Sequence, residues 1–329
     1  MSGRPSLKLG FVPLNDCAAL IVAAANGFFA AEGLSVELSR EASWATVRDK
    51  LAVGALDAAH MLSPMPLAAS LGAGSEAVAM LAPMTLSLNG PAVTVATRLA
   101  SSMGRGPGAE GLAKLAARRR EEGASPLTFA VVFPYSAHNY LLRQWMADAG
   151  IDPDRDVRLT VVPPPRLADL LADGVIEGFC AGEPWNAVAV AADAGRVVVQ
   201  ASQLRRRTPD KVLGVTEVWA GAHPQALGAL IRGLVKASAW AEAPENRADL
   251  AALLSRPEHV GVAAEIIAAS LDGMSFHDGG ANRPSTEDGM WLAGEMRRWG
   301  QAGAEADAMA ARVYRPDLYD AALASISIS

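Results

Sequence analysis

The chain has 329 residues, of which 51% are apolar and 19% charged, with a formal net charge of −6. That length exceeds what one hydrophobic core usually holds, so two lobes are expected, and the apolar share excludes a disordered chain. The acidic balance argues against direct nucleic-acid binding, and no window approaches the ~20 uninterrupted apolar residues of a membrane span, so no membrane insertion is expected.

Residues 7–12 read as a strand, 13–16 as a turn with cap chemistry, and 17–26 as a helix closed by Gly27. Residues 34–38 alternate apolar and polar as a strand does, and they run through Ser43-Trp44 into a helix whose apolar face is Val47, Leu51 and Val53. Ser43 or Thr46 can cap that helix. Such a helix start suits a small anion, because its first N–H groups lack intrahelical partners and sit at the positive end of the dipole. Trp44 is then either core or the flat wall of a site.

A short strand at 58–62, a helix at 67–71, a strand at 77–84 and an extended crossing segment at 86–95 follow. Residues 103–108 form a glycine-rich loop without the ending of a phosphate loop, and this loop is expected to lead into the second lobe. There a strand at 127–133 runs into Ser136 and His138 at a second helix start. Strands at 158–162, 176–181 and 197–200 alternate with helices. A basic loop, Arg205 to Lys211, precedes a strand at 212–219, expected to return to the first lobe. Helices at 224–240, 248–255, 262–269, 288–299 and 304–313 form a tail expected to cover that lobe. Alternating strand and helix predicts an α/β fold with mainly parallel sheets. The lobes are placed at 1–90 with 215–329, and at 91–214. No repeat at a fixed period is evident.

Metalloprotease, hydrolase-elbow and dinucleotide motifs are missing, so no enzyme activity, cofactor or metal is expected. The two cysteines, Cys17 and Cys180, stand in no redox or metal-ligand spacing and read as buried thiols. Of the five histidines, His138 stands out by its place at a helix start. Two lobes joined by two strands form a cleft. Helix starts at Ser43-Trp44-Thr46 and at Ser136-His138, with Lys211 beside a crossing segment, would suit an anion at its mouth.

Residues 41–49 (EASWATVRD), 60–66 (HMLSPMP), 86–90 (LSLNG), 161–165 (VVPPP) and 179–186 (FCAGEPWN) resemble the nitrate-binding and bicarbonate-binding proteins of ABC transporters. The likeness runs from about Leu7 to Val313. It implies a two-lobed periplasmic-binding-protein (type II) fold with the anion held between lobes joined by two crossing strands. Carried over motif by motif, it implies ligand contacts at Trp44, His138 and Lys211, with Ser43, Thr46, Ser136 and Asn89 as further candidates. Pro91 stands where the nitrate binders carry a Gln. A proline offers neither a side-chain amide nor a backbone N–H, so nitrate, nitrite and bicarbonate all stay open.

The beginning of the sequence shows no apolar run of secretory length. Read as a complete chain, it is expected in the cytoplasm, where it resembles most the nitrate/nitrite sensor branch of the family (NasS-like). That branch implies control of an RNA-binding antiterminator partner of the NasT type. The alternative is the substrate-binding component of a nitrate or bicarbonate transporter.

Overall fold

The computed structural model describes residues 6–104 and 107–324. Its ten strands are β1 (Ser6–Phe11), β2 (Ser35–Arg40), β3 (Ala58–Leu62), β4 (Met80–Leu88), β5 (Pro91–Ala96), β6 (Leu127–Val131), β7 (Val157–Val161), β8 (Gly178–Gly182), β9 (Gly195–Gln200) and β10 (Pro209–Thr216). They form two five-stranded sheets, ordered β2-β1-β3-β10-β4 and β7-β6-β8-β5-β9. Each sheet is the floor of one lobe.

In β1, Leu7, Leu9 and Phe11 are buried, which anchors the strand against its helices. β3 is buried along its whole length because it lies inside the sheet with both faces covered. β4 is an edge strand, yet all nine of its residues are buried. Helices Glu305–Val313 and Pro316–Ala324 pack on it and shield the edge.

The sheets are mixed rather than simply parallel. β10 runs antiparallel to β3 and β4, and β5 runs antiparallel to β8 and β9. Each is the strand that crosses in from the other lobe, and it runs opposite to the neighbours it pairs with. The chain passes between sheets at Asn89-Gly90, so β5 already belongs to the second lobe before the glycine-rich stretch. Arg105 and Gly106 of that stretch lie outside the described residues. The return passes through 201–208 and β10 starts at Pro209, ahead of the boundary expected at 215. Lys211 is therefore a strand residue, not part of a loop.

The matching strand orders expose a duplication that periodicity did not reveal. Asp57 accepts the N–H of Lys8 at 2.7 Å and Glu177 accepts that of Thr128 at 2.6 Å, each pair 49 residues apart. The second pair repeats the first 120 residues later, 8 to 128 and 57 to 177. Gly54 and Gly174, with φ of 73° and 72°, stop the preceding helices at corresponding places.

The helical tail does more than cover the first lobe. Helix Thr286–Arg298 contributes Leu292 and Met296 to a buried cluster that runs from Trp44 and Met65 of the first lobe to Tyr140 and Trp145 of the second. Helices Pro224–Glu242, Arg247–Leu254 and Ala264–Ala269 instead pack with β1 and the helix Ala18–Ala25 in a separate cluster.

Candidate functional site

Five ionisable side chains meet where the two lobes touch, and none of them is exposed. The Lys211 ammonium lies 2.6 Å from Asp16 Oδ2 and 2.6 Å from Asp210 Oδ1. His60 Nε2 is 2.8 Å from Asp16 Oδ1, and His138 Nε2 is 3.1 Å from Asp210 Oδ1. The result is a continuous chain, His60–Asp16–Lys211–Asp210–His138. Trp44 closes one side, its ring centroid 5.6 Å from Lys211 Nζ and 5.2 Å from the His60 ring.

Local folding explains each placement. Asp16 lies in the 3-10 turn Asn15–Cys17 that follows β1, and Trp44 opens the helix Trp44–Ala52. His60 sits within β3, and Lys211 pairs with Leu62 of β3 and Ser87 of β4. The β10–β4 register shifts on either side of Lys211. Neighbouring strand residues ordinarily face opposite ways, and this irregularity lets Asp210 and Lys211 contact each other. His138, from the helix Ala137–Asp148, is the second lobe's imidazole in the cluster.

The second lobe also presses its backbone on the cluster. A Cβ at Gly182 would lie 3.0 Å from Asp16 Oδ2 and 3.6 Å from Lys211 Nζ. Pro91 pairs with Gly182 and so lies beside the site. Asn15 N–H donates to the Glu183 carbonyl at 2.8 Å and Trp185 Nε1 to the Pro13 carbonyl at 3.0 Å, which ties the lobes together next to it.

Charges can be buried here only because they are paired. Burial opposes the Asp210 carboxylate, yet Lys211 and His138 hold it well below the usual carboxylate range. Lys211 likewise stays charged against burial because Asp16 and Asp210 raise its pKa. Burial, aided by Lys211, lowers that of His138, which favours its neutral form. Trp44 Nε1, His60 Nδ1 and His138 Nδ1 are buried without a hydrogen-bond partner among the described residues. Buried polar atoms are normally satisfied, so unused capacity of this kind marks a site built for something further.

Of the residues picked from the sequence, Trp44, His138 and Lys211 come together. The other four are engaged locally. Ser43 caps its helix by accepting from Thr46 N at 3.2 Å, and its hydroxyl also lies 2.9 Å from that of Thr46. Ser136 accepts from Asn139 N at 3.0 Å and donates to the Phe133 carbonyl at 2.7 Å. Asn89, at φ 62°, accepts from Thr208 N at 2.9 Å and so joins the two crossings. The structure adds Asp16, His60 and Asp210, which the sequence pattern does not single out. The available signal was His60, a polar residue inside the otherwise apolar run Ala58–Leu62.

Cys180 sits in β8 and Cys17 beside Asp16, both buried, and burial pushes both thiols up. Neither is set up as a nucleophile.

The model of the NMT1-like family matches residues 2–255. The chain belongs to this family. It is 31% identical over 314 residues to the nitrate/nitrite binding protein NrtA of Nostoc, covering 89% of this chain and 70% of that protein. It is 35% identical over 334 residues to the nitrate import ATP-binding protein NrtC of Synechocystis, covering 95% of this chain and 49% of that protein. Against the bicarbonate transport ATP-binding protein CmpC of Synechococcus elongatus it is 36% identical over 307 residues, covering 90% of this chain and 46% of that one. The chain thus spans about half the length of these two ATP-binding relatives. Among solved structures, the periplasmic nitrate-binding protein NrtA from Synechocystis superposes with a TM-score of 0.92 at 28% identity, over 98% of this chain and 89% of that one. The two-lobed periplasmic-binding-protein fold expected from the sequence is the fold observed, and the resemblance to nitrate- and bicarbonate-binding proteins holds.

Proposed function

We propose that this chain is the anion-binding unit of an ABC-type import system for a small oxyanion of the nitrate, nitrite or bicarbonate class, held at the Lys211 cluster between the lobes. The observation that carries this is the ammonium of Lys211, buried under the Trp44 ring at the lobe junction beside a tryptophan N–H and two imidazole nitrogens that have no partner among the described residues. A charged donor in a dry setting binds an oxyanion far better than it would in water. Trp44, His138 and Lys211 are the proposed contacts. Ser43, Thr46, Ser136 and Asn89 hold the backbone around them. The names of the relatives, a nitrate/nitrite binding protein and the ATP-binding proteins of nitrate import and bicarbonate transport, support the transporter reading.

A thermal-shift series with nitrate, nitrite, bicarbonate and sulfate tests the reading, since a ligand that binds only the folded state raises its melting temperature. Calorimetry on the anion that shifts it should show affinity lower by about tenfold or more in His138→Ala and Lys211→Ala, equivalent to ~1.4 kcal/mol or more. Unchanged affinity in both would overturn the assignment.

The regulatory reading, a cytoplasmic sensor that releases an antiterminator, uses the same pocket and the same lobe closure. Co-purification decides between them. An antiterminator released by nitrate or nitrite would establish the sensor, and a chain that captures none leaves the transporter reading.

A further inference from the structure

The cluster's charges do not match a bare anion. Two carboxylates, Asp16 and Asp210, face one ammonium, Lys211, with all three fully buried. While the imidazoles carry no extra proton, the group is already negative, and a second negative charge in a low-dielectric setting is strongly disfavoured. The hydrogen-bonding pattern points the same way. Asp210 Oδ1 accepts from His138 Nε2, which places the proton of a neutral imidazole on Nε2 and leaves Nδ1 as a lone-pair acceptor. Nitrate and nitrite offer only acceptor oxygens. They can use His138 Nδ1 only once it carries a proton.

We propose that the cluster captures a small acceptor-only oxyanion, such as nitrate or nitrite, together with one proton from solvent, which settles on His138 Nδ1. The inference rests on the anion-binding reading above. With the proton in place, His138 becomes a donor to the anion on one side while still donating to Asp210 on the other, and the captured pair adds no net charge. Asp16 and Cys17 face the cluster from the turn after β1, His60 from β3, Asp210 and Lys211 from β10, and Cys180 from β8. Burial keeps both thiols protonated, and the paired carboxylates favour a cationic imidazole once an anion balances Lys211.

Calorimetric titration of the full chain with sodium nitrate and sodium nitrite, in buffers of different ionisation enthalpy, counts the protons. The expected count is about one per anion bound, with the dissociation constant rising about tenfold per pH unit above neutrality. Tight binding with no proton exchange and no pH dependence overturns the inference and leaves the anion site standing. No binding of either anion anywhere from roughly pH 6 to 8.5 overturns the anion-binding reading itself. Two variants that melt cooperatively place the proton. Asp210→Asn, which removes one negative charge, should lower the proton count, and His138→Gln should abolish it. An unchanged count in His138→Gln means that the proton goes elsewhere and overturns the assignment to His138.

Discussion

Lys211 holds Asp16 and Asp210 in the protein interior, and its removal would strand both carboxylates without a counter-ion. Lys211→Met should cost about 3–5 kcal/mol of unfolding free energy, visible as a lower denaturant midpoint. Adding Asp210→Asn should recover part of that loss, because one of the stranded charges is gone. Glu183 makes a different prediction. It is buried beside the lobe junction, where its Oε2 accepts from Ala187 N at 3.1 Å. Burial pushes its carboxyl up to about 7, from an ordinary 4.5. Between those values the folded protein keeps a proton that the unfolded chain has lost. The contribution of Glu183 is therefore complete below 4.5 and is lost as pH rises through about 7. The loss comes to ~3 kcal/mol. Glu183→Gln, which keeps the acceptor, should raise the melting temperature at pH above 7 and leave it nearly unchanged in mild acid. Equal shifts at both would show that Glu183 is not the titrating group.

Helix starts were the most legible elements of this chain. Ser43 and Ser136 stand before helical apolar spacing and cap the helices they announce. Ser43→Ala should cost about 1 kcal/mol and Ser136→Ala up to about 2 kcal/mol, because Ser136 is buried and its removal also leaves the Phe133 carbonyl without its donor. Substitution of either by Asn should cost less, and chemical denaturation would show the order. The strand holding Lys211 was harder to read. Pro209-Asp210-Lys211 looks like a polar loop because charged neighbours rarely occupy a covered strand. It is one here because Asp16 and Asp210 neutralise the lysine and a register shift re-aims the chain. The duplicated Lys8–Asp57 and Thr128–Glu177 contacts leave no periodic trace in the sequence. They keep the acidic residue and the glycine but change most of the side chains between them.

The arrangement of the two lobes is braced from outside the charged cluster. Tyr140 of the second lobe donates to Gln301 Oε1 at 2.7 Å, and Gln301 Nε2 donates to the Pro134 carbonyl at 3.2 Å. The Arg143 guanidinium stacks 5.1 Å from the Trp299 ring centroid. The following helix, Glu305–Val313, packs on Met65–Leu71 of the first lobe, and Tyr314 donates to the Ser63 carbonyl at 2.6 Å. Residues 299–314 therefore strap one lobe to the other. The double variant Tyr140→Phe, Gln301→Ala should shift the population towards an open form, seen as a larger radius of gyration in solution scattering, with added anion restoring compaction. A radius unchanged with and without anion would contradict the strap.

Composition, periodicity and cap chemistry were enough to determine a two-lobed α/β chain, most of its strands and helices, and two members of its charged cluster, His138 and Lys211, with Trp44 beside them, because burial patterns and helix starts are local properties of the sequence. Only the tertiary structure decided that Trp44 joins a lysine from β10, the strand that returns to the first sheet, and a histidine from the second lobe. Asp16, His60 and Asp210 complete that group through contacts 44, 72 and 1 residues apart in sequence, and no local spacing encodes the first two. The charge balance behind the proposed proton dependence is likewise a property of the assembled cluster, since it exists only once both carboxylates and the ammonium share one buried volume.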